Sequence, residues 1–271
     1  GERTELISLA KFNAHGYAND FRIDNYVVSS DGDKILVQLS GKDKENSKPD
    51  YWMLERRTGA LKNVTAGTNN SISPHGRQIL YANHGDLYIY DVAKEKATRL
   101  TFDAVSGRIS NQSASWSPDG ASIAFVQSDI SDVRRRSSLI AGDPSYPEVK
   151  EETFARVGGN IPVLRIGVVD SAGKKTRWLS IPIPKEGYYL GQVSWAGNSY
   201  ELLVEKRSRF RDEREFLIAN VDDGTITRIY EESDPAWVVA SYGTNGGVDW
   251  VRNYRNFIVL TEKDGWRHAY L

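Results

Sequence analysis

The chain has 271 residues and a formal net charge of −1, enough length for one large all-β domain or two smaller ones. Near-neutral charge excludes a global field that recruits nucleic acid or anionic lipid, and the lack of cysteine excludes disulfides, thiolate metal sites and a cysteine nucleophile. No apolar run approaches the roughly 20 residues that carry a helix across a bilayer, and Gly1-Glu2-Arg3-Thr4 does not open a signal-peptide core.

In chain order, the first turn signal is Ser29-Ser30-Asp31-Gly32, followed by the strand Lys34 to Leu39 and by a second pair, Tyr51 to Leu54 and Leu61 to Thr65. Ser73-Pro74-His75-Gly76 precedes Gln78 to Tyr81, then Asp86 to Asp91 and Ala97 to Thr101. Ser117-Pro118-Asp119-Gly120 follows Trp116 and precedes Ile123 to Val126. In that turn Pro118 fixes φ, Asp119 bonds the backbone just downstream, and Gly120 takes a positive φ that a branched residue would resist. Leu164 to Asp170 and Thr176 to Leu179 complete the third unit. The degenerate turn Trp195-Ala196-Gly197-Asn198 opens the strand Glu201 to Val204, with Phe216 to Val221 and Thr225 to Tyr230 after it. A fifth unit starts at Asp249-Trp250, replaces the glycine turn by Arg252 to Asn256, and continues through Phe257 to Leu260 into Asp264-Gly265-Trp266-Arg267-His268.

The spacing sets the architecture. Gly32 to Gly76 is 44 residues, Gly76 to Gly120 is 44, and Gly120 to Gly197 is 77, one period and about 33 residues more. Four strands per period predict an all-β chain, a β-propeller of four-stranded antiparallel blades, with about four and a half blades present. A β-sandwich with regular turns gives no reason for a recurring Ser-Pro-Asp-Gly turn. Blades bury their faces on their neighbours, so an unclosed set is either closed by other residues or, as expected here, residues 1–271 are an incomplete propeller, a piece of a longer protein. The extra residues fall at 127–160, where prolines and mixed charges predict an extended inserted loop, a frequent place for function.

The chain resembles the N-terminal propeller of the dipeptidyl peptidase IV family, in the prolyl oligopeptidase class of serine peptidases. The resemblance is carried by Tyr51-Trp52-Met53-Leu54 with Thr58-Gly59, Gly85 to Asp91, Trp116 to Gly120, Ser145-Tyr146-Pro147-Glu148, Arg156 to Val163 leading into Leu164 to Val169, and Glu262 to His268. It implies an eight-bladed propeller over a C-terminal α/β-hydrolase domain, absent from this chain, that holds a Ser, Asp, His triad. This chain has no Gly-x-Ser-x-Gly, so no catalytic residue is assigned in it. The family's Glu-Glu pair, which holds a substrate ammonium, maps to Val105-Ser106-Gly107-Arg108; no acid stands there, and Arg108 repels an ammonium. The family's substrate-contacting arginine maps near Lys42 or Lys44, which lack the planar fork.

Five residues follow as substrate-binding candidates. Glu151 and Glu152, in the insertion, are acids able to replace the missing pair, against the plainer reading of solvated loop charges. Arg134, at the head of Arg134-Arg135-Arg136, suits a peptide carboxylate, against a solvated run or a salt-bridged subunit contact. Lys44 and Arg108 come from the family positions. The run Lys206 to Arg211 is a poor nucleic-acid site at this net charge. His15, His75, His84 and His268 are too scattered for a metal, and Trp116, Trp195 and Trp250 recur as packing residues.

The expected function is therefore the non-catalytic propeller of a serine exopeptidase or oligopeptidase. It walls the active-site chamber and gates or binds the peptide, while the hydrolase domain cuts. The alternative is a free-standing periplasmic propeller that docks proteins. Expected partners are a peptide substrate, the hydrolase domain of the same protein and a second copy in a homodimer, with no nucleic acid, membrane, cofactor or metal. The family's habit places such proteins in the periplasm or outside the cell, with the cytoplasm still open.

Overall fold

The computed structural model describes residue 12 and residues 21–41, 50–64, 67–140, 145–146, 148–173, 175–239, 248–251 and 256–271. Its first sheet runs β1 (Phe21–Val28), β2 (Lys34–Gly41), β3 (Asp50–Glu55), β4 (Leu61–Asn63), and its second β5 (Thr68–Ile72), β6 (Gln78–Asn83), β7 (Asp86–Asp91), β8 (Lys96–Arg99). The third is built from β9 (Ile109–Trp116), β10 (Ser122–Asp129), β13 (Val163–Asp170) and β14 (Arg177–Trp178), and a separate ribbon pairs β11 (Arg135–Ile140) with β12 (Glu148–Thr153). The fourth is β15 (Tyr188–Trp195), β16 (Glu201–Ser208), β17 (Glu213–Asn220), β18 (Ile226–Ser233); the fifth has β19 (Val248–Val251), β20 (Asn256–Thr261) and β21 (His268–Tyr270). All pairings are antiparallel, and the sheets form a partial β-propeller.

Each sheet sends alternate side chains to opposite neighbours, as the two-residue period of a strand demands. Leu36 packs with Ile72 and Ile79 of the next blade, whereas Ile35, Val37 and Leu39 surround Phe12 on the other face. Leu202 and Val204 meet Ala124, Ile166 and Val168 of the third blade, and Leu203 meets Val248 and Val259 of the fifth. Middle strands are thus covered on both sides. Ile123 to Val126 is buried throughout, which explains why it reads as a continuous apolar run rather than an alternating one. The outermost β8 is exposed along its length.

The repeated turn links neighbouring blades as well as strands. In the first three blades a buried serine (Ser29, Ser73, Ser117) accepts a hydrogen bond from the backbone NH five residues on, at 3.0, 3.1 and 2.9 Å. Gly32, Gly76 and Gly120 sit at φ +71°, +67° and +71°, the left-handed region the turn requires. In the fourth blade Asn198 takes over, its Oδ1 accepting from the NH groups of Tyr200 and Glu201. Between blades, Ser30 NH donates to Pro74 O at 3.1 Å, His75 Nε2 lies 3.0 Å from Asp119 O, and Asp119 NH donates to Ser199 Oγ at 3.2 Å. The indoles repeat the pattern: Trp116 Nε1 donates to Ser71 O and Trp195 Nε1 to Ser115 O, each reaching the first strand of the preceding blade.

The insertion differs from the expected extended loop. β10 continues to Asp129, and β11 and β12 form a twisted-out hairpin in which Arg136 faces Glu152 and Ser137 faces Glu151. The hairpin forms a two-stranded sheet of its own, and its strands are exposed along most of their length on both faces. β10 then pairs with β13 over its whole length, so the third blade closes as if the hairpin were absent. The expected replacement turn in the fifth blade, 252–255, lies outside the described residues.

Candidate functional site: a cleft at the root of the hairpin

One end of the stack gathers the connections into β9, the hairpin root, the segment entering β15 and the turn between β16 and β17. Two adjoining cavities, of about 270 and 490 Å³, open there and share Asp132 and Asn160. The smaller lies between the third and fourth blades, lined by residues 160–164, Ile183, Lys185 to Tyr188 and Arg209. The larger is lined by Asp132, Arg134, Phe154 and Arg156 to Asn160.

Hydrogen bonds fix the walls. Tyr188 OH donates to Leu164 O at 2.8 Å, tying the fourth blade to the third, and burial pushes its hydroxyl pKa up. Asn160 Nδ2 donates to Asp132 O at 3.1 Å across the mouth of the hairpin. Arg209 reaches from the β16–β17 turn to Glu186 O at 3.3 Å and also donates to Gly159 O, so its guanidinium is a strut between the cavities. At the hairpin root Phe154 NH donates to Arg134 O and Gly159 NH to Arg156 O, both at 2.9 Å.

The sequence candidates separate. Arg134 lines the larger cavity. Arg108 lies on the neighbouring connection, exposed, with its carbonyl accepting from Ile130 NH at 2.8 Å just before the hairpin. Asp129, at the end of β10, feels the charge of Arg108, and Asp103, earlier on the same connection, accepts from Asn111 Nδ2 at 3.0 Å and Gln127 Nε2 at 2.7 Å. Glu151 and Glu152 stand up the hairpin, and its own arginines hold them. Arg136 approaches Glu152 to 2.5 Å and stacks 4.2 Å over the Phe154 ring, and Arg135 lies 3.7 Å from Glu151. The Arg136 hydrogen bond, followed by its charge, draws the Glu152 pKa below the ordinary carboxylate value. Lys44 lies outside the described residues. Among the described residues no group of three or more His, Cys, Asp or Glu is placed to hold a metal, and no helix is long and apolar enough to cross a membrane.

Sequence reasoning did not single out Asp132 or Tyr188, and it met Arg156 only at the head of the family-like stretch Arg156 to Val163 and Arg209 only inside the run Lys206 to Arg211. Arg156 and Arg209 are distant from Arg134 in the chain, and only the blade repeat, by setting the third and fourth sheets side by side, brings them to one cleft. The signal available was the departure of 127–160 from the period.

Comparison with known proteins fits this frame. A family model described as "Dipeptidyl peptidase IV (DPP IV) N-terminal region" matches residues 29–271, from the first blade's turn to the last strand. The chain belongs to that family. A "Probable dipeptidyl-aminopeptidase B" of Phaeosphaeria nodorum is 25% identical over 263 residues, covering 81% of this chain and 28% of that protein. An "Inactive dipeptidyl peptidase 10" of Rattus norvegicus is 24% identical over 182 residues, covering 60% of this chain and 23% of that one. The crystal structure of Porphyromonas gingivalis dipeptidyl peptidase 4 superposes with a TM-score of 0.74 at 21% identity, over 92% of this chain and 38% of that chain. The chain thus spans well under half the length of these relatives, and corresponds to their propeller region.

Proposed function

We propose that this chain is the propeller part of a serine exopeptidase or oligopeptidase resembling dipeptidyl peptidase 4. It walls the chamber in which a separate α/β-hydrolase domain cuts peptides. The observation that carries the reading is the family match over 29–271 on stacked sheets of that architecture. In such a design the ring excludes folded proteins by size, and polar groups on its connecting loops meet the ends of the peptide. The nucleophile and base belong to the hydrolase domain.

Arg108 stands where the family's acidic pair maps, and Glu151 and Glu152 are engaged by Arg135 and Arg136. This favours peptide trimming other than strict release of dipeptides from a free N-terminus. Export to a periplasmic or extracellular space and a homodimeric assembly belong to the same reading. The test is serine-reactive fluorophosphonate on the full-length protein, with chromogenic aminoacyl peptides as substrates. Labelling of a serine outside these residues, with turnover, is the expected result. No labelling and no turnover, with capture of envelope proteins instead, would favour a docking propeller.

A further inference from the structure

We propose that the larger cavity at the hairpin root is an anion subsite in which Arg134 and Arg156 clamp a carboxylate at the end of a bound peptide. The inference rests on the peptide-chamber reading and names the substrate class that the chamber prefers.

Most of the arginines on the hairpin and the β16–β17 turn already have partners. Arg135 is paired with Glu151, and Arg136 with Glu152 and the face of Phe154. Arg209 is spent on the carbonyls of Gly159 and Glu186. Arg211 lies over the rings of Tyr189 and Trp237, 5.3 and 5.6 Å from their centroids. Arg134 and Arg156 line the cavity, and among the described residues no carboxylate or ring engages either guanidinium. Their backbones are held by the Phe154 and Gly159 amides, so the cations are mounted on a fixed frame while their side chains keep the freedom to close on a ligand. Among the described residues Asp132 is the one acid of the lining, against the two arginines. Phe154 adds an apolar wall beside it.

Two guanidiniums around a concave space suit a carboxylate, which accepts paired N–H donors in one plane. The concavity favours a small end group over the broad surface of a docked domain. The carboxylate has two sources, a free C-terminus or a terminal Asp or Glu side chain.

Calorimetric titration of the full-length protein decides between them and reads binding apart from turnover. The ligands are short peptides ending in Glu, the same peptides with a C-terminal amide, and peptides ending in Gln with a free or amidated terminus. Acid-ended peptides are expected to bind more tightly than the fully neutral one. R134Q and R156Q should each weaken that binding by about three- to tenfold, since the site is exposed and screened, with added salt erasing the difference. R135Q, whose partner is on the hairpin, should leave it unchanged. If amidation abolishes the preference the ligand is the C-terminus; if the Glu-to-Gln change does, it is the side chain. Equal binding of all four peptides, or unchanged binding in the double variant, overturns the subsite. Loss of thermal stability in the double variant without any peptide preference assigns the arginines to contact with the hydrolase domain and also overturns it. Arginine-dependent binding without turnover leaves the subsite standing and removes the peptidase reading.

Discussion

Arg214 Nε lies 2.7 Å from Glu205 Oε1, and neither side chain is more than 1% exposed. The pair is the centre of a wider network. Arg207 meets the same carboxylate at 2.8 and 2.9 Å, Gln192 NH donates to it at 3.0 Å, and Arg214 also reaches Glu232 and the carbonyl of Leu260 in the fifth blade. A buried charge is tolerated only when paired, and removing one partner leaves the other stranded. Glu205→Gln is therefore expected to destabilise the protein by about 3–5 kcal/mol, read from the urea midpoint.

The inner strand β15 fits the same network. A Cβ on Gly191 would run into the Glu205 carboxylate, which three donors pin in place and which cannot swing aside. Gly191→Ala is expected to lower the melting temperature, and the Glu205→Gln/Gly191→Ala double variant to lose less than the two single changes added together. Strict additivity would show that glycine and carboxylate are not in contact.

The serine of the repeated turn is legible in sequence, but its purpose is not. Ser117 is fully buried; it donates to Asp119 Oδ1 at 2.6 Å and accepts from Ser122 NH. Ser73 makes the corresponding backbone contact, but His75 replaces the aspartate and points to the next blade instead. Ser117→Ala strands two partners and should cost about 1–3 kcal/mol; Ser73→Ala strands one and should cost less. Equal losses in denaturant melts would argue against the turn carrying that difference.

Much of the architecture was readable because it repeats. The 44-residue spacing follows from one blade's turn resting on the next, as Ser30 on Pro74 and His75 on Asp119 show. The hairpin differs from the expected loop because Arg135 to Ile140 and Glu148 to Thr153, exposed on both faces, have neither the alternation nor the apolar face that a packed strand displays. The cleft was half visible. Arg134 stands out as part of a charge run, whereas nothing local in Arg156 to Val163 or Lys206 to Arg211 links Arg156 and Arg209 to it, since only the stacking of two blades sets their cavities side by side.

Across the hairpin, the Arg136 contact that lowers the Glu152 pKa has a fixed pH sign. Its contribution is present above the ordinary value of 4.5 and is lost as pH falls through the depressed one. Arg136→Gln should return the Glu152 titration, followed by carboxyl NMR shifts, toward 4.5. A midpoint that stays low in the variant would mean another group holds the carboxylate.

At the opposite extreme of pH the sign reverses. Burial, followed by the hydrogen bond to Glu232 at 2.6 Å, pushes the Tyr230 hydroxyl up from 10.0 to about 12. The neutral phenol is thus favoured in the folded chain, and its contribution is complete below pH 10.0 and lost as the pH rises through about 12. Tyrosinate absorbance should show the buried rings, Tyr230 among them, ionising after the exposed tyrosines, and Tyr230→Phe should remove one late step and flatten the alkaline loss of stability. An unchanged alkaline stability profile in the variant would place the sensitivity elsewhere in the network around Arg214.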